Sequence, residues 1–226
     1  MSAAGKSPVE WAARERRRAR KGVRRRVTAW LGVNPEAKRA DALMGRARVG
    51  AEAERWTAAL LTRLPAGWTV FHGRKLPGHA HDFDHILVSP CGTAIVVLDT
   101  KRWNASWWTQ LVGGRVHCAP DGQRGEDRHG QIEAVARYAD QLHKALGMPG
   151  VTVLPLLVVH GSRVRGGHLE AVLAGGGMVR VLGPEYLVPT LAVDPRTRML
   201  RARDPQRAAM LARQVDAVLR PYGQGG

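Results

Sequence analysis

The stretch HDFDHILVSPCGTAIVVLDTK, residues 81–101, sets Asp82, Asp84, Asp99 and Lys101 at the ends of two aliphatic runs. Side chains alternate across a strand, so Asp99 and Lys101 share one face, Thr100 takes the other, and Asp82 falls with Asp84. If the runs form a hairpin turning between Cys91 and Gly92, residues whose numbers sum to 183 lie opposite each other, and Asp84 faces Asp99. Their Cβ atoms are then ~5 Å apart, a spacing at which like charges repel. Two carboxylates and an ammonium at one strand end suit a hard divalent cation, Mg²⁺ or Mn²⁺, which binds one or two carboxylates together with water and substrate phosphates. Such an ion activates water and stabilises charge on a phosphoryl group, with Lys101 placed to orient the water or steady that charge. The opposing reading is a solvated ion pair at a strand end with no chemistry at all.

The elements that must position these residues follow from periodicity. Residues 51–64, AEAERWTAALLTRL, carry Ala53, Trp56, Thr57, Leu60, Leu61 and Leu64 on one side of a helix that Pro65 and Gly67 stop. WTVFHGRKL (68–76) reads as a strand before the hairpin, and 106–119 as a second, shorter hairpin around Gly113-Gly114. Residues 131–146 form another amphipathic helix, and VTVLPLLVVH (151–160) is a buried central strand despite Pro155. A strand at MVRVLG and a helix from about Pro205 to Leu219 close the chain. This order predicts an α/β fold with a mixed β-sheet flanked by helices. Gly32, Pro35, Gly45 and Gly50 interrupt any long helix before residue 51, so the globular domain is expected over 41–226 and an arm over 1–40.

The arm dominates the charge. Net charge is +16, and residues 1–40 hold twelve Lys/Arg against three Glu, 12 − 3 = +9 of it. Arg16, Arg17, Arg18, Arg20, Lys21, Arg24, Arg25 and Arg26 make the densest run, on every face of any helix they form. A basic helical or disordered arm of this kind favours phosphate backbones through counterion release, while a merely solvated tail and an anionic membrane surface are the other readings. Two cysteines, Cys91 and Cys118, make neither a disulfide framework nor a zinc site. The absence of an apolar run of about 18 residues and of a signal-peptide core points to a soluble, cytoplasmic chain.

Three other groups have plainer readings. His72, His79, His81 and His85 cluster in sequence around Asp82 and Asp84 but share no single face, so a polar loop is favoured over zinc. Trp103, Trp107 and Trp108 could stack bases, but packing of a sheet edge is the better expectation. The runs GSRVRGG and AGGGMV lack the context of a phosphate loop and read as loops.

The segment GAEAERWTAALLTRLPAGWTVFHGRKLPG followed by DFDHILVSPCGTAIVVLDTKRW resembles the nuclease-related domain (NERD) family, of the PD-(D/E)XK nuclease superfamily. The shared pattern is Gly-x-x-x-Glu on a helix, Asp-His before aliphatics, and an acid-x-Lys after an aliphatic strand. The resemblance implies a PD-(D/E)XK-like fold, a metal-dependent nuclease activity, and Glu54, Asp84, Asp99, Lys101 and Gln131 as site residues. It also implies a metal held by Asp84, Asp99 and the Thr100 carbonyl. Two departures are Asp99, where Glu is commoner, and Ala105, where Gly is frequent. Helical geometry barely separates Glu52 from Glu54, which lie ~200° apart on the wheel; the family pattern favours Glu54. Hydrolysis of phosphodiester bonds in DNA leads, with a non-catalytic nucleic-acid-binding module and a membrane- or partner-associated scaffold as alternatives.

Overall fold

The computed structural model describes residues 6–22, 30, 34–123, 125–192 and 200–221. Helix α1 spans Lys6–Ala19 and α2 spans Pro35–Leu61. Strands β1 (Thr69–Lys75), β2 (Asp82–Val88) and β3 (Ala94–Arg102) follow, then β4 (Trp108–Val112), β5 (Arg115–Ala119) and β6 (Glu126–Asp127). Helix α3 is His129–Leu146, and β7 to β10 are Thr152–His160, Arg163–Val164, His168–Val172 and Met178–Leu182. Helices α4 (Pro184–Ala192) and α5 (Pro205–Val218) and the short β11 (Arg220–Pro221) complete the chain.

The expected break before residue 51 is absent: α2 is one helix of 27 residues running through Gly45 and Gly50. Each glycine costs about 1 kcal/mol against alanine in a helix interior. The start offsets this locally, because the Asn34 side chain accepts from the Ala37 N–H at 3.1 Å, Pro35 opens the first turn and Glu36 suits the helix dipole. Tertiary packing does the rest: α1 lies against α2, with Ala12, Ala19, Ala37, Ala40 and Met44 buried. The described part of the arm is therefore a docked helix.

The main sheet is mixed, in the order β11-β1-β2-β3-β7-β10-β9. β1, β2 and β3 pair antiparallel in turn, whereas β3, β7 and β10 run parallel. The β2/β3 register pairs His85 with Leu98 and Val88 with Ile95, the sum of 183 expected from the sequence. On one face Ile95 and Val97 pack with Leu142 of α3 and Leu211 and Val215 of α5. On the other, Val96 and Leu98 pack with Leu61 of α2 and Leu187 and Leu191 of α4. Full burial of each such side chain is worth roughly 1.5–3 kcal/mol. The second hairpin sits apart, in a small sheet ordered β6-β5-β4-β8. Pattern reading missed edge strand β9 and helix α4, which carries Pro189 inside it.

Candidate active site

The hydrophobic alternation of β3 continues past its core into polar residues. Asp99 and Lys101 follow Ile95 and Val97 on the α3/α5 face; Thr100 follows Val96 and Leu98 on the α2 face. Thr100 accordingly meets α2, donating from Oγ1 to Thr57 Oγ1 at 3.1 Å, and the Thr57 hydroxyl lies 2.8 Å from His160 Nε2 at the end of β7. Burial, then the Arg102 charge, lowers the His160 pKa, so the ring that meets the Thr57 hydroxyl is neutral.

Above this buried row lies an open cleft of about 810 Å³. Glu54 from α2, Asp84 from β2, Asp99, Thr100 and Lys101 from β3, and Gln131 from α3 all line it. The Thr100 N–H donates to Asp84 Oδ2 at 2.7 Å, so the Asp84 carboxylate reaches across to the backbone beside Asp99. Lys101 Nζ forms an ion pair with Asp99 and approaches the Thr100 carbonyl at 3.4 Å. Gln131 Oε1 accepts from the Trp103 indole at 3.2 Å. Of the two candidate acids on α2, Glu54 is 9% exposed and lines the cleft, whereas Glu52 pairs with Arg102, whose guanidinium also covers the Trp56 ring.

The inner group sets three acids, Glu54, Asp84 and Asp99, around one ammonium, Lys101, while Arg46, Arg102 and Arg128 line the same cleft. Burial, then the neighbouring charges of Asp99 and Glu54, raises the Asp84 pKa well above the usual carboxylate value, outweighing Lys101 and the Thr100 N–H. Burial works to lower the Lys101 pKa, but Asp99 and Asp84 overcome it and push it up, so the side chain stays an ammonium.

The other expected residues fall as follows. Arg16 and Arg20 both pair with Asp41 of α2 at 2.7 Å and are drawn onto the protein, while Arg17, Arg18 and Lys21 are exposed, Arg18 beside Glu15. Arg24, Arg25 and Arg26 lie outside the described residues. The histidines scatter: His72 Nδ1 meets His85 Nδ1 at 2.7 Å, and His81 stacks on Tyr138 at the cleft. Trp103 is buried with Val116, Ile132 and Val135, as packing required. Cys91 and Cys118 are free and buried. Sequence reasoning did not single out Arg46, Arg128, Thr57 or His160; for Thr57 the signal was its position one helical turn after Glu54.

A mixed sheet flanked by helices, with an acid-x-Lys strand end facing a second strand's acid and a helix glutamate, defines a nuclease-like α/β domain of the PD-(D/E)XK type. Residues 49–160 match the family model described as the nuclease-related domain, and through that segment the chain belongs to the NERD family. No curated protein and no solved structure matches the chain. Among the described residues no helix is long and apolar enough to cross a membrane.

Proposed function

We propose that this chain is a divalent-metal-dependent nuclease that hydrolyses phosphodiester bonds in DNA. The observation that carries the reading is the convergence of Glu54, Asp84 and Asp99 with a single ammonium, Lys101, on one open cleft. The donor set fits a hard cation: it is all oxygen, and its excess negative charge is what such an ion offsets. Mg²⁺ or Mn²⁺ would rest on Asp84, Asp99 and the Thr100 carbonyl, with water and substrate oxygens as further ligands. Among the described residues no group of three or more His, Cys, Asp or Glu is arranged to hold a metal alone, so those outside ligands are part of the proposal. When bound, the ion supplies Lewis-acid activation of water and neutralises phosphoryl charge.

The chain's own groups have separable tasks. Lys101 is held protonated by its acidic neighbours, so Nζ acts as a donor that orients a water or phosphate oxygen. Burial and the neighbouring acids favour the protonated form of Asp84 in the metal-free protein, and a bound cation would oppose this by favouring the carboxylate. Glu54 completes the acidic wall, and Gln131, fixed by the Trp103 indole, steadies the opposite side. Exposed Arg17, Arg18 and Lys21 add phosphate affinity without reading sequence.

The test is incubation with plasmid, linear duplex and single-stranded DNA, with Mg²⁺, Mn²⁺ or chelator. Cleavage should require metal and vanish in Asp99→Ala. Because the Asp99–Lys101 ion pair is complete without a cation, a non-catalytic binding module is the second reading. DNA bound but left intact with both metals would select it.

A further inference from the structure

The charges on α2 are sorted by face in a way that the arm obscures in sequence. At about 100° per residue, Arg39 and Arg46 lie within ~20° of one another on α2, whereas Arg48 and Arg55 lie on the far side, ~180–200° from Arg46. The cavities follow the same division. Arg46, with Gly45, Val49 and Gly50, walls the acidic cleft; Arg48 and Arg55 line a separate hollow with Val9 and Glu10 of α1. Arg39 and Arg46 are exposed, and neither takes part in an ion pair among the described residues. The nearby acid Asp41 is taken up on the α1 side by Arg16 and Arg20. Between Arg39 and Arg46, and on to Glu54, this face of α2 carries Ala42, Leu43, Ala47, Gly50 and Ala53 and no acid. Gly45 and Gly50 face open space rather than a packed neighbour, so tight packing within the chain is not what places them there.

We infer that the Arg39/Arg46 face of α2 is a phosphate track that carries double-stranded nucleic acid away from the cleft, so that the site engages a duplex segment rather than an isolated phosphodiester. This rests on the nuclease reading of the cleft. With a rise of ~1.5 Å per residue, Arg46 sits ~12 Å and Arg39 ~22 Å along the helix from Glu54. At ~3.4 Å per base step, the two cations meet the backbone about three to four and about six to seven steps from the reacting phosphate. The rigidity of one unbroken helix fixes that spacing, and Arg46 lies where the track enters the cleft.

The experiment reads binding, not cleavage, with full-length protein in chelator and duplexes of ~5 and ~12 base pairs over a salt series. Arg46→Ala should weaken both duplexes, and Arg39→Ala only the longer one. On the longer duplex each should reduce the log–log salt slope by about 0.9, the value of one lost phosphate contact. Arg48→Ala and Arg55→Ala remove the same charge from the opposite face and should leave the slope at the wild-type value. Equal losses from all four variants, no loss from Arg39→Ala and Arg46→Ala, or an Arg39→Ala effect as large on the short duplex each overturn the track. Single strands bound with the same Arg39 dependence overturn the duplex assignment. If the wild type binds no nucleic acid, the nuclease reading fails as well; if it binds and the variants do not follow this pattern, only the track fails.

Discussion

Replacing Asp84 by asparagine tests the charge balance of the cleft directly. In Asp84→Asn the amide carbonyl oxygen would still accept from the Thr100 N–H, the contact Asp84 Oδ2 makes at 2.7 Å, so shape and hydrogen bond are kept while the charge goes. Asp84 has a raised folded-state pKa, chiefly from burial and secondarily from Asp99 and Glu54. The folded chain therefore binds more protons than the unfolded one between the ordinary carboxylate value of 3.8 and the raised value. Stability from this group is fully present below the ordinary value and is lost as pH rises through that window. Each unit of elevation corresponds to about 1.4 kcal/mol lost above it. A neutral amide escapes the loss but accepts a weaker hydrogen bond, so Asp84→Asn should be the more stable protein at about pH 8, by less than the full ionisation penalty. For a chain of this size each kcal/mol gained raises Tm by about 2–4 °C. Thermal melts in chelator at about pH 4 and about pH 8 should show the two proteins converging in acid and separating at the higher pH. Added Mg²⁺ or Mn²⁺ should raise the wild-type Tm by mass action and leave the variant unmoved. A variant that melts below wild type at the higher pH in chelator would show that Lys101 more than compensates the three carboxylates, and no charge imbalance would then remain for a cation to offset.

Lys101→Ala removes the only ammonium from the acidic group, so it should lower apo stability and retain metal binding, read as a Tm that metal raises more than in wild type. Thr57→Val leaves Thr100 Oγ1 and His160 Nε2 without their shared partner; a loss of about 1–3 kcal/mol is expected by denaturant melt, together with weaker metal-dependent stabilisation. Gly92→Ala would force a Cβ to within 2.4 Å of the Arg207 and Ala208 backbone at a φ of +63°, and should cost several kcal/mol, roughly 3 or more, by the same assay. Deleting residues 1–30 should flatten the salt dependence of DNA binding, and because α1 covers Ala37, Ala40 and Met44 it should also lower Tm.

How much of this was legible in the chain depends on range. The β2/β3 register was, because alternation and one turn position determine it, and with it the approach of Asp84 to the backbone beside Asp99. The central place of β7 was legible too, because VTVLPLLVVH is nearly continuous in apolar residues, as a strand covered on both faces requires. The course of α2 was not. Gly45 and Gly50 argue against a helix by propensity, and only the Asn34 cap and the packing of α1, both outside the local pattern, override that tendency. Helix α4 was hidden by Pro189, whose missing N–H reads as a break although Leu187 and Leu191 bury against the sheet. The arm's charge can be counted from composition, but Arg16 and Arg20 are spent on Asp41, a contact across 25 and 21 residues that no composition reveals.

What holds the cleft together is likewise a long-range matter, and it explains why its acids can remain so close. Glu54 is placed by α2, Asp99 and Lys101 by β3, and the loop after β3 by the end of β7. Thr57, Thr100 and His160 tie those three elements by two buried hydrogen bonds directly behind the acidic wall. The His160 carbonyl also accepts from the Trp103 N–H at 3.0 Å, and Trp103 in turn holds Gln131. Gly161, at a φ of +83°, allows this turn because a Cβ there would stand 2.4 Å from the Trp103 carbonyl oxygen. Repulsion among Glu54, Asp84 and Asp99 pushes these elements apart, and the hydrogen-bonded row opposes that push from the neutral side of the sheet. A site so restrained keeps its acids gathered in advance, the condition under which the proposed cation would bind without reorganisation.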